Sequence, residues 1–210
     1  MRRFKLNVEK ALNGLLMFLE RYPGANRTQI MKFFFFADFT FYSKNERPIF
    51  GGIYVHLKNG PVPQEIFTDF LPYFVNAGFV ECKEVDMGYI EYRYYIKNKP
   101  EWEKFDKKEL KTVVETTDFI KRLKTARGVS DFSHQFALWS YTLNGEEIPY
   151  EFANMEEEEI QRYLEEERTL SMLLEKAHFE KTKDRYWEEE NIEPSVSYQE
   201  SALRMLADPD

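Results

Sequence analysis

The chain has 210 residues, a net charge of −8, and a composition that is 43% hydrophobic, 17% aromatic and 31% charged. Apolar content of that size supports a real core and excludes a disordered chain. The single cysteine, Cys82, excludes an internal disulfide and a multi-cysteine zinc site.

The start of the chain is basic and then apolar, but Glu9, Lys10 and Asn13 interrupt the run and no small-residue cleavage site follows. Val8, Leu12, Leu15, Leu16 and Leu19 recur at helical spacing and predict an amphipathic helix over about 7–22. Pro23-Gly24 punctuates it. Asn26 with Gln29 is a capping box for a second helix that ends near Lys44-Asn45. This helix carries Phe33 to Phe36 and is apolar nearly all round, which predicts a central buried element. The apolar runs are far too short for a bilayer span, so a cytoplasmic location with no membrane partner is expected.

Ile53, Val55 and Leu57 alternate with Tyr54, His56 and Lys58, the period of a strand. Asn59-Gly60 turns the chain, and Pro61-Val62-Pro63 leads into a third helix, Gln64 to Ala77, with Pro72 set to kink it. A hairpin follows, from Phe79 to Val85 and from Tyr89 to Ile96. Asp106 and Glu109 cap a further helix, expected to end at Gly128, and Ser130 is placed to cap a short one. An acidic helix runs from about Asn154 to Phe179, with Ile160, Leu164, Leu170, Leu174 and Ala177 along one side, and a short helix is expected near Tyr198 to Leu206. The fold class is therefore mainly α (α+β). It combines a compact helical domain with a small antiparallel hairpin in winged-helix-like order and a C-terminal helical extension, divided as 1–152 and 153–210.

Charge is split along the chain. Residues 146–210 hold 20 acidic and 7 basic side chains, and the preceding residues hold 17 and 22. The acidic part suits attraction to a basic surface, or simply solvation.

Catalytic motifs are absent. His56, His134 and His178 show no metal-ligand spacing, and neither nucleotide-binding glycine motif occurs. Asp131, Ser133 and His134 are adjacent on one helix, where side chains diverge, so a hydrolytic triad is not expected. No catalytic residue, metal or cofactor is assigned. Nucleic acid is a poor partner as well. The third helix carries Glu65 and Asp69 but no Lys or Arg, and phosphate neutralisation supplies most DNA affinity.

The segment KFFFFADFTFYSKNERPIFGGIYVHLKNGPVPQEIF resembles the Panacea antitoxin family, also described as SocA-like or GepA-like phage-associated proteins. The resemblance is carried by Ala37-Asp38, Arg47-Pro48-Ile49, Tyr54-Val55 and Gly60-Pro61-Val62-Pro63. A second motif follows in Ser133-His134, Trp139 and Ile148-Pro149-Tyr150. It implies a non-catalytic antitoxin that binds a cognate protein toxin, often encoded beside it, and in one branch delivers that toxin to a protease. A winged-helix-like transcriptional regulator is the competing reading.

Asp38, Pro48, Gly60, Pro61, Pro63, Ser133, His134 and Trp139 are expected to hold the fold rather than touch the toxin. Asp38 sits near a helix C-terminus, against the dipole, so a specific hydrogen bond is expected, to the backbone near Gly60 or to His134. Tyr54, Glu65, Tyr92 and Tyr94 are the residues expected to meet a partner.

Overall fold

The computed structural model describes residues 2–190, in two compact units, Met1–Arg162 and Tyr163–Asp210. The expected helix near Tyr198 to Leu206 lies outside the described residues.

The first unit is built around α2 (Arg27–Asn45). Asn26 caps it, and its side chain and that of Gln29 complete the capping box in both directions. Glu46, in the left-handed region at φ 53°, ends it. Because α2 is apolar on every side, it is buried on every side. The helix α1 (Val8–Arg21) packs on it through Phe18, stacked on Phe33 at 4.6 Å. The helix α4 (Lys107–Leu123) covers another side, and its own capping box joins Asp106 and Glu109.

Three strands form the first sheet, in the order β1-β5-β4: β1 (Ala25–Asn26), β4 (Val80–Asp86) and β5 (Ile90–Ile96), all antiparallel. The hairpin β4–β5 was legible in the sequence; the two-residue β1 beside it was not.

The second sheet corrects an expectation. Gly60–Pro63 is a strand, β3, paired with β2 (Tyr54–Leu57), rather than a lead into the third helix. The prolines are tolerated by register. Tyr54 and His56 turn their backbone groups outward to residues 145–148, with Ile148 N–H on Tyr54 O at 2.7 Å and His56 N–H on Glu146 O at 2.9 Å. Pro63 and Pro61 pair with those same two residues. The missing proline donors therefore fall at positions that face away from the β2–β3 ladder.

The third helix starts where expected but is not a plain α-helix. Ile66–Phe70 is a π-turn, with Leu71 N–H reaching back to Ile66 O, followed by α3 (Leu71–Asn76). Pro72 donates nothing, and the widened turn before it accommodates its ring.

After α4 the chain departs from the sequence reading again. The helix ends at Leu123, with Lys124 at φ 62°, rather than at Gly128. Thr125 caps α5 (Ala126–Ser133) through Gly128 N–H, so Ser130 lies inside a helix and caps none. Gly128 is required by space, since a Cβ there would lie 2.9 Å from Leu123 O. The short α6 (Ala137–Ser140) follows.

The helix α7 (Glu157–Glu190) begins in the first unit, where Ile160 is buried and shares a groove with Phe39 and Phe152. The unit therefore extends past residue 152. In the second unit, Leu170 and Leu174 are exposed on the acidic helix.

Candidate functional site

Asp38 is fully buried and collects five donors. Its Oδ1 accepts from Ile49 N–H at 2.8 Å and Phe50 N–H at 2.7 Å. Its Oδ2 accepts from Gly51 N–H at 3.1 Å, Tyr54 O–H at 3.0 Å and Tyr150 O–H at 3.2 Å. The expected partners, the backbone near Gly60 and His134, are not the ones used. Asp38 instead folds the bend after Pro48 onto α2. Burial pushes its carboxyl up to about 7, against the donors, which favour the charged form. Burial, and then the Asp38 charge, raises the Tyr54 and Tyr150 phenols well above their ordinary value, so both act as donors.

A second cluster closes the β2–β3 turn. Lys32 on α2 is 1% exposed and its Nζ donates to Pro61 O at 2.7 Å. Gly60, at φ 95°, leaves space for it: a Cβ at that position would lie 2.4 Å from Lys32 Nζ and 2.5 Å from Ser133 Oγ. Ser130 Oγ donates to Asn59 O at 3.0 Å, and Trp139 Nε1 donates to Leu57 O at 3.3 Å. The Trp139 ring is sandwiched, 3.8 Å from His134 and 4.5 Å from His56. Burial lowers the pKa of both histidines, and the Lys32 charge lowers them further. Asp131, Ser133 and His134 do not line up as a relay, and His134 Nε2 instead lies 3.4 Å from Ser130 Oγ. Ser133 Oγ donates to Ser130 O, and Asp131 pairs with Arg127 at 3.6 Å. Among the described residues, no group of three His, Cys, Asp or Glu could hold a metal ion.

Two of the four residues expected to meet a partner are interior, which corrects that expectation. Tyr54 is 1% exposed, because it points at α2, where it packs on Phe35 and Phe39 and donates to Asp38. Tyr94 is 7% exposed, on the face of β5 that the body covers. Glu65 is half-buried and occupied, accepting from Ile53 N–H at 2.9 Å. Tyr92 alone stands out, at 49% exposure.

Tyr92 sits on the same face of β5 as Tyr94, as does Ile90. That face is covered at its Tyr94 end and runs past the body toward the turn, where Ile90 and Tyr92 are bare. Met87 and Tyr89 at the tip and Tyr73 on α3 are also exposed. On the opposite face Lys83 meets Arg93 and Val85 meets Glu91, a polar register. On the Tyr94 face, Tyr92 pairs with Glu84 and Ile90 with Asp86, so the bare end of the hairpin sets a tyrosine and an isoleucine beside two carboxylates, with Met87 and Tyr89 at the tip.

Residues 30–140 match the family described as antitoxin SocA-like, Panacea domain. The chain belongs to this family. A role of the toxin–antitoxin type in general follows from the Panacea match. No curated protein and no solved structure matches the chain. The Panacea match contains both motif clusters and the overhanging hairpin but stops short of Tyr150, which closes on Asp38 from outside it. No helix among the described residues is long and apolar enough to cross a membrane.

Sequence reasoning assigned no role to Lys32 or to the Tyr150 phenol. The available signal for Lys32 was its position on a helix apolar all round, where a lysine has no solvent face to occupy. For Tyr150 the motif Ile148-Pro149-Tyr150 marked the position, but not its partner, which lies 112 positions away.

Proposed function

We propose that this protein neutralises a cognate protein toxin by direct contact, without catalysis of its own, and that the overhanging face of β4–β5 makes the central part of that contact. The observation that carries this reading is the continuity of one strand face, buried at Tyr94 and exposed at Tyr92 and Ile90. Tyr92 and Ile90 stand exposed there beside Glu84 and Asp86, apolar anchors with a charged rim. Aromatic residues on a rigid strand also suit an interface centre, because tyrosine brings large area at low entropic cost. The Asp38 and Lys32 clusters hold the bend after Pro48 and the β2–β3 hairpin onto α2 and make no part of this surface. The cytoplasm is the compartment in which such a protein would meet its toxin.

The test is co-expression with the protein encoded beside it, with an affinity tag on one partner. Co-purification and restored growth support the reading. Restored growth without any physical complex contradicts it, as does a complex that survives Ile90→Asp with Tyr92→Asp unchanged.

A further inference from the structure

We infer that the free edge of β4 pairs with β4 of a second copy of this chain, antiparallel and centred on Cys82. The sheet runs β1-β5-β4, so β4 has β5 on one side and, among the described residues, no strand on the other. Its pairing with β5 is unbroken from Val80–Ile96 to Asp86–Ile90. The strand has no proline, no glycine and no bulge, three of the devices that blunt an edge. The remaining device is charge, and here the charges select one register.

The ladder decides which backbone groups are free. Lys97 N–H donates to Phe79 O and Met87 N–H to Tyr89 O, each at 3.0 Å. The odd-numbered residues of β4 therefore turn their backbone groups to β5, and Val80, Cys82 and Glu84 turn theirs to the open edge. Among the described residues, no other segment bonds to those groups. Such a row of unpaired donors and acceptors is a template for an added strand.

The side chains choose the partner. Glu81 and Lys83 share the face of β4 opposite Cys82, with side chains 38% and 56% exposed. In a pair centred on Cys82, Glu81 of each copy stands opposite Lys83 of the other, twice by symmetry, at the closely spaced positions of the ladder. A centre at Glu81 or Lys83 would set that residue against its own copy, and a centre at Glu84 would oppose two carboxylates. Glu81-Cys82-Lys83 is thus self-complementary in one register, which is what a two-fold contact requires. The product is one sheet in the order β1-β5-β4-β4-β5-β1.

Sedimentation velocity of the full chain up to millimolar concentration, with residue-resolved amide exchange, tests this. We expect dimers, and exchange at Cys82 and Glu84 that slows as they form. Glu81→Lys and Lys83→Glu each turn both attractive pairs repulsive and should weaken the dimer about tenfold or more. The double variant Glu81→Lys/Lys83→Glu restores both pairs and should recover the parent affinity. Both side chains are exposed, so the melting temperature should hold in all three. A chain that stays monomeric at millimolar concentration overturns the assignment. Dimers with unslowed exchange at Cys82 and Glu84, or a double variant no tighter than the singles, overturn it too. The pairing does not rest on the toxin reading, which is tested at Ile90 and Tyr92, so either can fail alone.

Discussion

Tyr150 donates to Asp38 at 3.2 Å across 112 positions of chain, and so ties the end of the first unit's fold to its central helix. Tyr54 donates to the same carboxylate oxygen. Removing the acceptor should be far worse than removing one donor. Asp38→Ala would leave three backbone N–H groups buried and unpaired and should cost on the order of 3–5 kcal/mol. Tyr150→Phe and Tyr54→Phe should each cost about 1–2 kcal/mol. Chemical denaturation of the three variants checks this order; an Asp38→Ala no worse than the phenylalanine variants contradicts it.

Gly60→Ala should destabilise by about 2 kcal/mol or more. The positive φ disfavours any side chain, and the new methyl would fall on Lys32 Nζ and Ser133 Oγ. Gly145→Ala, also at positive φ but with nothing within 4 Å, carries only the conformational part and should be milder. The difference between their thermal midpoints isolates the steric contribution of the Lys32 cluster.

Glu109 is 1% exposed and accepts from Lys10 and Arg47, each at 2.7 Å, while its other oxygen closes the α4 capping box at Asp106 N–H, 2.9 Å. Glu109→Ala leaves two cations facing an emptied site and should cost on the order of 3–5 kcal/mol. The exposed pair Lys111–Glu115, 3.8 Å apart, should tolerate Glu115→Ala with no measurable change. Urea titrations of the two variants test the contrast.

Stability should depend on pH through two groups of opposite sign. The Asp38 carboxyl is raised from 3.8 to about 7, so its contribution is fully present below about pH 4 and is lost as pH rises through about 7. The Lys32 amine is lowered from 10.5 to about 7, so its contribution is present above about pH 10 and is lost as pH falls through about 7. Asp38→Asn should flatten the acid limb of the stability profile and Lys32→Met the alkaline limb. Limbs that keep their slopes in these variants contradict the two assignments.

Local chemistry was legible in the sequence wherever one short motif decides the outcome. The capping boxes at Asn26–Gln29 and Asp106–Glu109 formed as read, and so did the buried character of α2. The β4–β5 hairpin did as well. The errors share a cause. Pro61 and Pro63 read as the lead into a helix, and sequence does not show that their missing donors face away from a β2–β3 ladder. Gly128 looked like a helix stop because sequence does not show Leu123 O beside it. Alternation separates Tyr54 from Val55 but does not say which face of β2 meets α2, and Tyr54 lies on the face that packs on Phe35 and Phe39. Tyr92 and Tyr94 share a face and so looked alike; burial changes along the strand, and periodicity carries no information about where the body ends.

The central claim is that the bare end of the β5 face binds the toxin, and affinity of the Tyr92→Ala/Ile90→Ala double variant for the neighbour-encoded protein tests it most directly. Both side chains are exposed, so the thermal midpoint should hold. The account predicts a loss of about 2–4 kcal/mol, roughly a thirtyfold to thousandfold weaker Kd, measured by calorimetry with unchanged stability. A Kd equal to that of the parent protein would place the interface elsewhere and contradict the account.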